Sequence, residues 1–276
     1  MVAMSNYEPQ SSAAHEHNRR AWDGRARAEK RFAKPIADAE FAAALKKLDA
    51  DGWLTGAIRG RRLLCLGSGG GRQSVLYAAA GASVTVVDIS ADMLELDRQA
   101  AAARSLAVRT VQASIDDLSA LAAAEFDVVV QPVSTCYVPD IAAVYQEVAR
   151  VTTAGGLYIS QHKQPGSLQA DVRPSPRGGY ELAEPYFRTG PLPPVVGSSH
   201  REDGTLEFLH RWEELIGGLC RAGFVVEDLI EPLHAKPDAE HGSFAHRSGF
   251  LPPYVRIKAR RVGGGKSSTG GAIVIP

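Results

Sequence analysis

Five short apolar segments recur between residues 62 and 161: RLLCL at 62–66, SVTVVD at 83–88, AVRTVQ at 107–112, FDVVVQ at 126–131 and GLYISQ at 156–161. Helix-patterned stretches separate them. Parallel neighbours in a sheet need a crossover between them, so strands alternating with helices at this spacing predict a mostly parallel sheet covered on both faces. The intervening helices carry their own signals. One over 72–80 ends at Gly81, and Ser90 is placed to cap another that runs through Met93 and Leu94 to the alanines at 100–103. After a possible Asp140 cap, Ile141, Val144, Tyr145 and Val148 fall on one helical face. Further on, the pattern predicts a helix near 205–222 (Leu209, Trp212, Ile216, Leu219), a strand at 224–230 and a strand at 254–261.

The flanks differ from this core. Residues 1–14 and 263–276 are polar or Gly/Ser-rich and read as tails, while 15–55 reads as a helical cap of two helices, the second opening after Pro35. The main domain then spans 56–262. Within it, 163–204 holds seven prolines and six glycines in 42 residues, which excludes a core helix and marks a substrate-covering insertion.

Composition narrows the class of partner. With 31 Lys+Arg against 31 Asp+Glu in 276 residues, no surplus charge points to nucleic acid or an anionic membrane. No apolar run reaches the ~18 residues of a membrane span, and the N-terminal stretch lacks an apolar signal core. Three scattered cysteines, Cys65, Cys136 and Cys220, form neither a disulfide framework nor a zinc site, so a cytoplasmic protein is expected. The histidines show no metal spacing, and no metal is expected. Gly-Gly-Gly-Lys266-Ser267 is not a phosphate loop, because Arg260 stands where its first glycine belongs.

The chemical signal is Leu64-Cys65-Leu66-Gly67-Ser68-Gly69-Gly70-Gly71, a strand running into glycines ahead of a helix. Bare backbone and unpaired helix N–H groups there admit a nucleotide. Asp88 closes the next strand, 21 positions after Gly67, where a carboxylate accepts hydrogen bonds from ribose hydroxyls. A dinucleotide fingerprint needs its third glycine at 72, which is Arg72.

These residues resemble the class I S-adenosylmethionine (SAM) dependent methyltransferases, most specifically over residues 60–162. The resemblance implies a Rossmann-like seven-stranded sheet in order 3-2-1-4-5-7-6 with the last strand antiparallel. It implies SAM as cofactor, S-adenosylhomocysteine as product, and a cofactor set of Gly67, Ser68, Gly69, Gly71, Asp88, Ile89, Met93, Ser114, Ile115, Asp116 and Gln131. Two positions depart from the family. Cys65 replaces the acid that precedes the glycine loop, and Ser114 replaces the acid of the adenine loop.

Substrate and catalytic expectations follow. Gln131-Pro132-Val133-Ser134 lacks the Asn/Asp-Pro-Pro-Tyr of base and amide methylation, and Leu251-Pro-Pro-Tyr254 lies at the last strand, so a small-molecule substrate methylated at oxygen or nitrogen is expected. Trp22, Tyr137, His162 and Tyr186 are its expected contacts, with His162 and then Tyr137 as candidate general bases. The alternatives are an NAD(P) oxidoreductase on a similar sheet and an inactive SAM-fold partner subunit. The oligomeric state is open.

Overall fold

A computed structural model describes residues 8–30, 32–54 and 58–263. The expected extremities at 1–7 and 264–276, and the boundary at 55/56, lie outside those residues. Two helices open the chain, α1 (Glu8–Arg27) and α2 (Asp38–Lys46). Then come β1 (Arg62–Leu66), α3 (Gln73–Ala79), β2 (Ser83–Asp88), α4 (Ala91–Ala102), β3 (Val108–Gln112) and β4 (Phe126–Gln131). A 3-10 turn at Thr135–Tyr137 leads to α5 (Ile141–Val151), β5 (Thr152–Lys163) and α6 (Pro165–Gln169). A π-helical turn at Glu213–Gly217, α7 (Gly218–Arg221), β6 (Phe224–Ile230), α8 (Phe244–Arg247) and β7 (Tyr254–Arg261) complete it.

The seven strands form one sheet in the order β3-β2-β1-β4-β5-β7-β6. Six run in one direction, and β7 runs antiparallel between β5 and β6. The apolar alternation in β1 explains how the sheet is covered. Leu64 and Leu66 face α5 and α7 through Val144, Tyr145, Val148 and Leu219, while Leu63 and Cys65 face the other side with Tyr77 and Leu94. Complete burial of each such leucine contributes about 1.5–3 kcal/mol. Both expected caps are present: the Ser90 side chain accepts from Met93 N, and Asp140 accepts from Ala142 N and Ala143 N.

Two expectations change. α1 starts at Glu8, well inside the stretch read as a tail. The helix expected over 205–222 is helical only from Trp212, because the preceding backbone is committed elsewhere. Leu206 bonds the Asn18 side chain, Glu207 O accepts from Leu192 N at 2.7 Å, and Phe208 N donates to Cys136 O at 2.7 Å. These long-range bonds substitute for a helical ladder, so the segment has no regular secondary structure before Trp212.

Candidate active site

Strand order reverses between β1 and β4, and the crevice outside their C-terminal ends is where ligands enter open α/β sheets. A cavity of about 400 Å³ opens there, within the range of small-molecule sites. Its floor is the turn after β1. Gly67 has φ +59, and a Cβ on it would meet Ser134 Cβ at 2.7 Å; one on Gly69 would meet Met93 Cβ at 2.7 Å. Side chains at either position would close the backbone approach that the cavity offers.

Asp88 ends β2 beside this turn. Its Oδ2 accepts from Gly69 N and its Oδ1 from Ser90 N, each at 2.9 Å. Burial raises its pKa to about 6, against the two backbone donors that favour the ionised form. Ile89, Met93, Ser114 and Ile115 line the same half of the cavity, with Ser68. Two buried oxygens here, Ser68 Oγ and Gln73 Oε1, have no hydrogen-bond partner among the described residues. Orphaned polar atoms at a cavity wall are the places a polar ligand satisfies.

Three expected cofactor residues serve the site from outside. Gly71, at φ +68, lies under α4, where a Cβ would come 2.5 Å from Leu96 O, so it is a packing glycine. Gln131 donates to Ser134 Oγ at 2.9 Å and accepts from Tyr158, which holds the loop after β4. Asp116 pairs with His15 Nε2 at 2.9 Å and with Ser114 Oγ. Burial opposes its charge, but His15 and Ser114 hold its pKa below the usual carboxylate value.

Sequence reasoning missed Asp97. This α4 carboxylate is fully buried, accepts from Gly70 N at 2.9 Å and from Ser74 Oγ, and has its pKa raised by burial to about 6. It braces the glycine turn on the side that Cys65 faces, and the Cys65 thiol pKa is driven far up by burial first and then by Asp97.

α1 roofs the cavity with His15, Asn18 and Trp22. Asn18 Nδ2 donates to Tyr137 O at 2.8 Å and to Leu206 O at 3.0 Å, and Asp23 accepts from Ser90 Oγ at 2.6 Å. The Trp22 and Tyr137 rings meet edge to face at 5.3 Å. Tyr137 donates to Glu202 Oε2 at 2.6 Å, and burial followed by Glu202 drives its pKa well above the ordinary phenol value, so it is a donor rather than a base.

His162 is not brought to the cavity. It is 1% exposed, its Nδ1 bonds Thr135 Oγ1 and its Nε2 bonds Ser160 Oγ, both at 2.8 Å. Burial, then His210, lowers its pKa to about 3, so the ring is neutral and both nitrogens are occupied. It ties β5 to the turn that presents Tyr137. Tyr186 is also elsewhere, accepting from Trp212 N at 3.1 Å. From the 163–204 insertion the cavity takes Glu202; further wall comes from His234 and Phe244, in a stretch the sequence left unassigned, and from Tyr254 at the start of β7.

The fold and this site define a Rossmann-like, cofactor-binding enzyme. Residues 64–160 match the family profile described as a methyltransferase domain. A Bacillus subtilis protein described as an uncharacterized methyltransferase, YbaJ, is 37% identical over 63% of this chain and 69% of its own length. Among solved structures, a SAM-dependent methyltransferase from Mesorhizobium loti superposes with a TM-score of 0.62 at 23% identity, covering 79% of this chain and 98% of that one. Geranyl diphosphate C-methyltransferase from Streptomyces coelicolor does so at 0.58 and 16% identity, covering 90% and 98%. The last two share the fold. The chain belongs to the class I SAM-dependent methyltransferases, and its cofactor is SAM. That membership sets aside the NAD(P) alternative.

Proposed function

We propose that this methyltransferase acts on an oxygen or nitrogen of a small molecule. The observation that carries the reading is the roofed cavity: the Asp88 and glycine-turn half is continuous with a second half walled by Trp22, Tyr137, Glu202 and Phe244. A space of about 400 Å³ beneath a helix clamped at Asn18 and Asp23 suits a metabolite rather than a macromolecule. Among the described residues no helix is long and apolar enough to cross a membrane.

Bound SAM supplies a sulfonium-activated methyl group open to in-line displacement. This chain's residues do the holding. Asp88 would take the ribose hydroxyls, Gly67–Gly69 would offer backbone to the amino-acid end, and Ser68 Oγ and Gln73 Oε1 would take polar atoms of the cofactor. Ile89, Met93 and Ile115, which line this half of the cavity with Ser114, would pack against the adenine. Trp22 and Tyr137 hold the acceptor in place, and such positioning is worth roughly 7–11 kcal/mol of barrier at best. His162 is not assigned as the base, since it has no free nitrogen. The test is release of S-adenosylhomocysteine across a panel of metabolites, with oxygen and nitrogen acceptors giving turnover. A protein that binds S-adenosylhomocysteine but turns over none of them is the inactive partner instead.

A further inference from the structure

Glu202 is the carboxylate of the cavity's second half, and its surroundings define a charge preference. Oε2 accepts both from Tyr137 Oη and from Lys163 Nζ, each at 2.6 Å, and no described residue donates to Oε1. Behind it, Lys163 also bonds Glu207 Oε1 at 2.6 Å, and Arg201 bonds Glu207 Oε2 at 2.5 Å. Lys163 and Glu207 are 3% and 0% exposed at their side chains. Two cations and two carboxylates therefore cancel in place, and neither cation is left to receive an anionic ligand. Burial opposes the Glu202 charge, but Lys163 and Tyr137 keep it ionised below the usual carboxylate range.

Aromatic rings flank this carboxylate. Trp22 packs on Tyr137, whose hydroxyl holds Glu202. On the other flank His200, two residues before Glu202, stacks on Phe244 at 5.0 Å, and His234 meets both Phe244 and Tyr254 at 5.5 Å. His234 adds no charge at neutral pH, because burial and then Arg256 lower its pKa. Ring faces attract cations and flat apolar bodies alike, and a desolvated carboxylate with an unused oxygen attracts an N–H or O–H donor.

We propose that Glu202 anchors the methyl acceptor, and that the acceptor is an aromatic molecule, neutral or cationic, which donates an N–H or O–H to Glu202 while anions are refused. The proposal rests on the methyltransferase reading and deepens it. Two probes of one shape and opposite charge test it: tyramine and 4-hydroxyphenylacetate, titrated calorimetrically into protein saturated with S-adenosylhomocysteine. Tyramine is expected to bind at least tenfold more tightly, and Glu202→Gln is expected to bring the two within about threefold. Equal binding, preference for the carboxylate, or binding of neither overturns the proposal, and the wild-type pair decides this even if Glu202→Gln does not fold. Failure of S-adenosylhomocysteine itself to bind breaks the methyltransferase reading instead.

Discussion

Asp88 Oδ2 and the Gly69 N–H lie 2.9 Å apart, so the carboxylate that closes the second strand is bound to the turn that follows the first. Cofactor site and loop geometry are therefore coupled. An ion buried this deeply is expensive to hold, and the structure meets the cost with two backbone donors placed where a ribose adds more.

That coupling gives a pH dependence. The Asp88 pKa rises from 3.8 to about 6 on folding. A carboxyl raised in this way binds more protons folded than unfolded between those values. Its contribution to stability therefore grows as pH falls through the window and is lost as pH rises through about 6. Ribose donors favour the ionised form, so S-adenosylhomocysteine binding is expected to release a proton near pH 6 and to weaken below it, approaching about tenfold per pH unit. Calorimetry from pH 5 to 8 in two buffers checks this. Asp88→Asn should flatten the profile and cost roughly 1.5–3 kcal/mol at pH 7.5; an unchanged profile in the variant contradicts the assignment.

Asp97→Ala is expected to destabilise the fold by roughly 1–3 kcal/mol, because Gly70 N and Ser74 Oγ lose their buried acceptor. Release of a buried charge offsets part of the loss. The readout is a lower denaturant midpoint at unchanged slope, with S-adenosylhomocysteine affinity reduced although Asp97 is not a wall of the cavity. Intact affinity would show that the turn holds its shape without this brace.

Glycine substitutions separate packing from flexibility. Gly71→Ala puts a methyl against Leu96 O at φ +68 and is expected to cost roughly 2–4 kcal/mol. Gly24→Ala, inside α1 with nothing within 4 Å of the new methyl, should stabilise by roughly 0.5–1 kcal/mol. Thermal melts distinguish the two, and equal effects contradict the packing account.

The sheet was legible because its strands are apolar runs between clear turns; the spacing of Gly67, Gly69 and Asp88 pointed to a nucleotide crevice, and the family resemblance pointed to SAM in it. Long-range commitments were not legible. The stretch at 205–211 has helical periodicity, yet its backbone bonds Asn18, Leu192 and Cys136 from distant parts of the chain. His162 sits where a base belongs in the sequence, but Ser160 and Thr135 consume both ring nitrogens, which only the fold reveals. Asp97 and Glu202 look like ordinary surface acids until burial is known.

His162→Ala removes two buried hydrogen bonds and leaves a cavity, with an expected loss of roughly 2–4 kcal/mol. The melting temperature should fall by several degrees while the pH dependence of turnover keeps its shape. Disappearance of one limb of that profile would restore His162 to the chemistry.

The most direct measurement is a crystal structure with S-adenosylhomocysteine at saturating concentration. The account predicts its ribose hydroxyls within hydrogen-bonding distance of Asp88, its amino-acid end along Gly67–Gly69 near Ser68 and Gln73, and its sulfur facing the Trp22 and Tyr137 half. An ordered molecule bound anywhere else, or a ribose that turns away from Asp88, contradicts it.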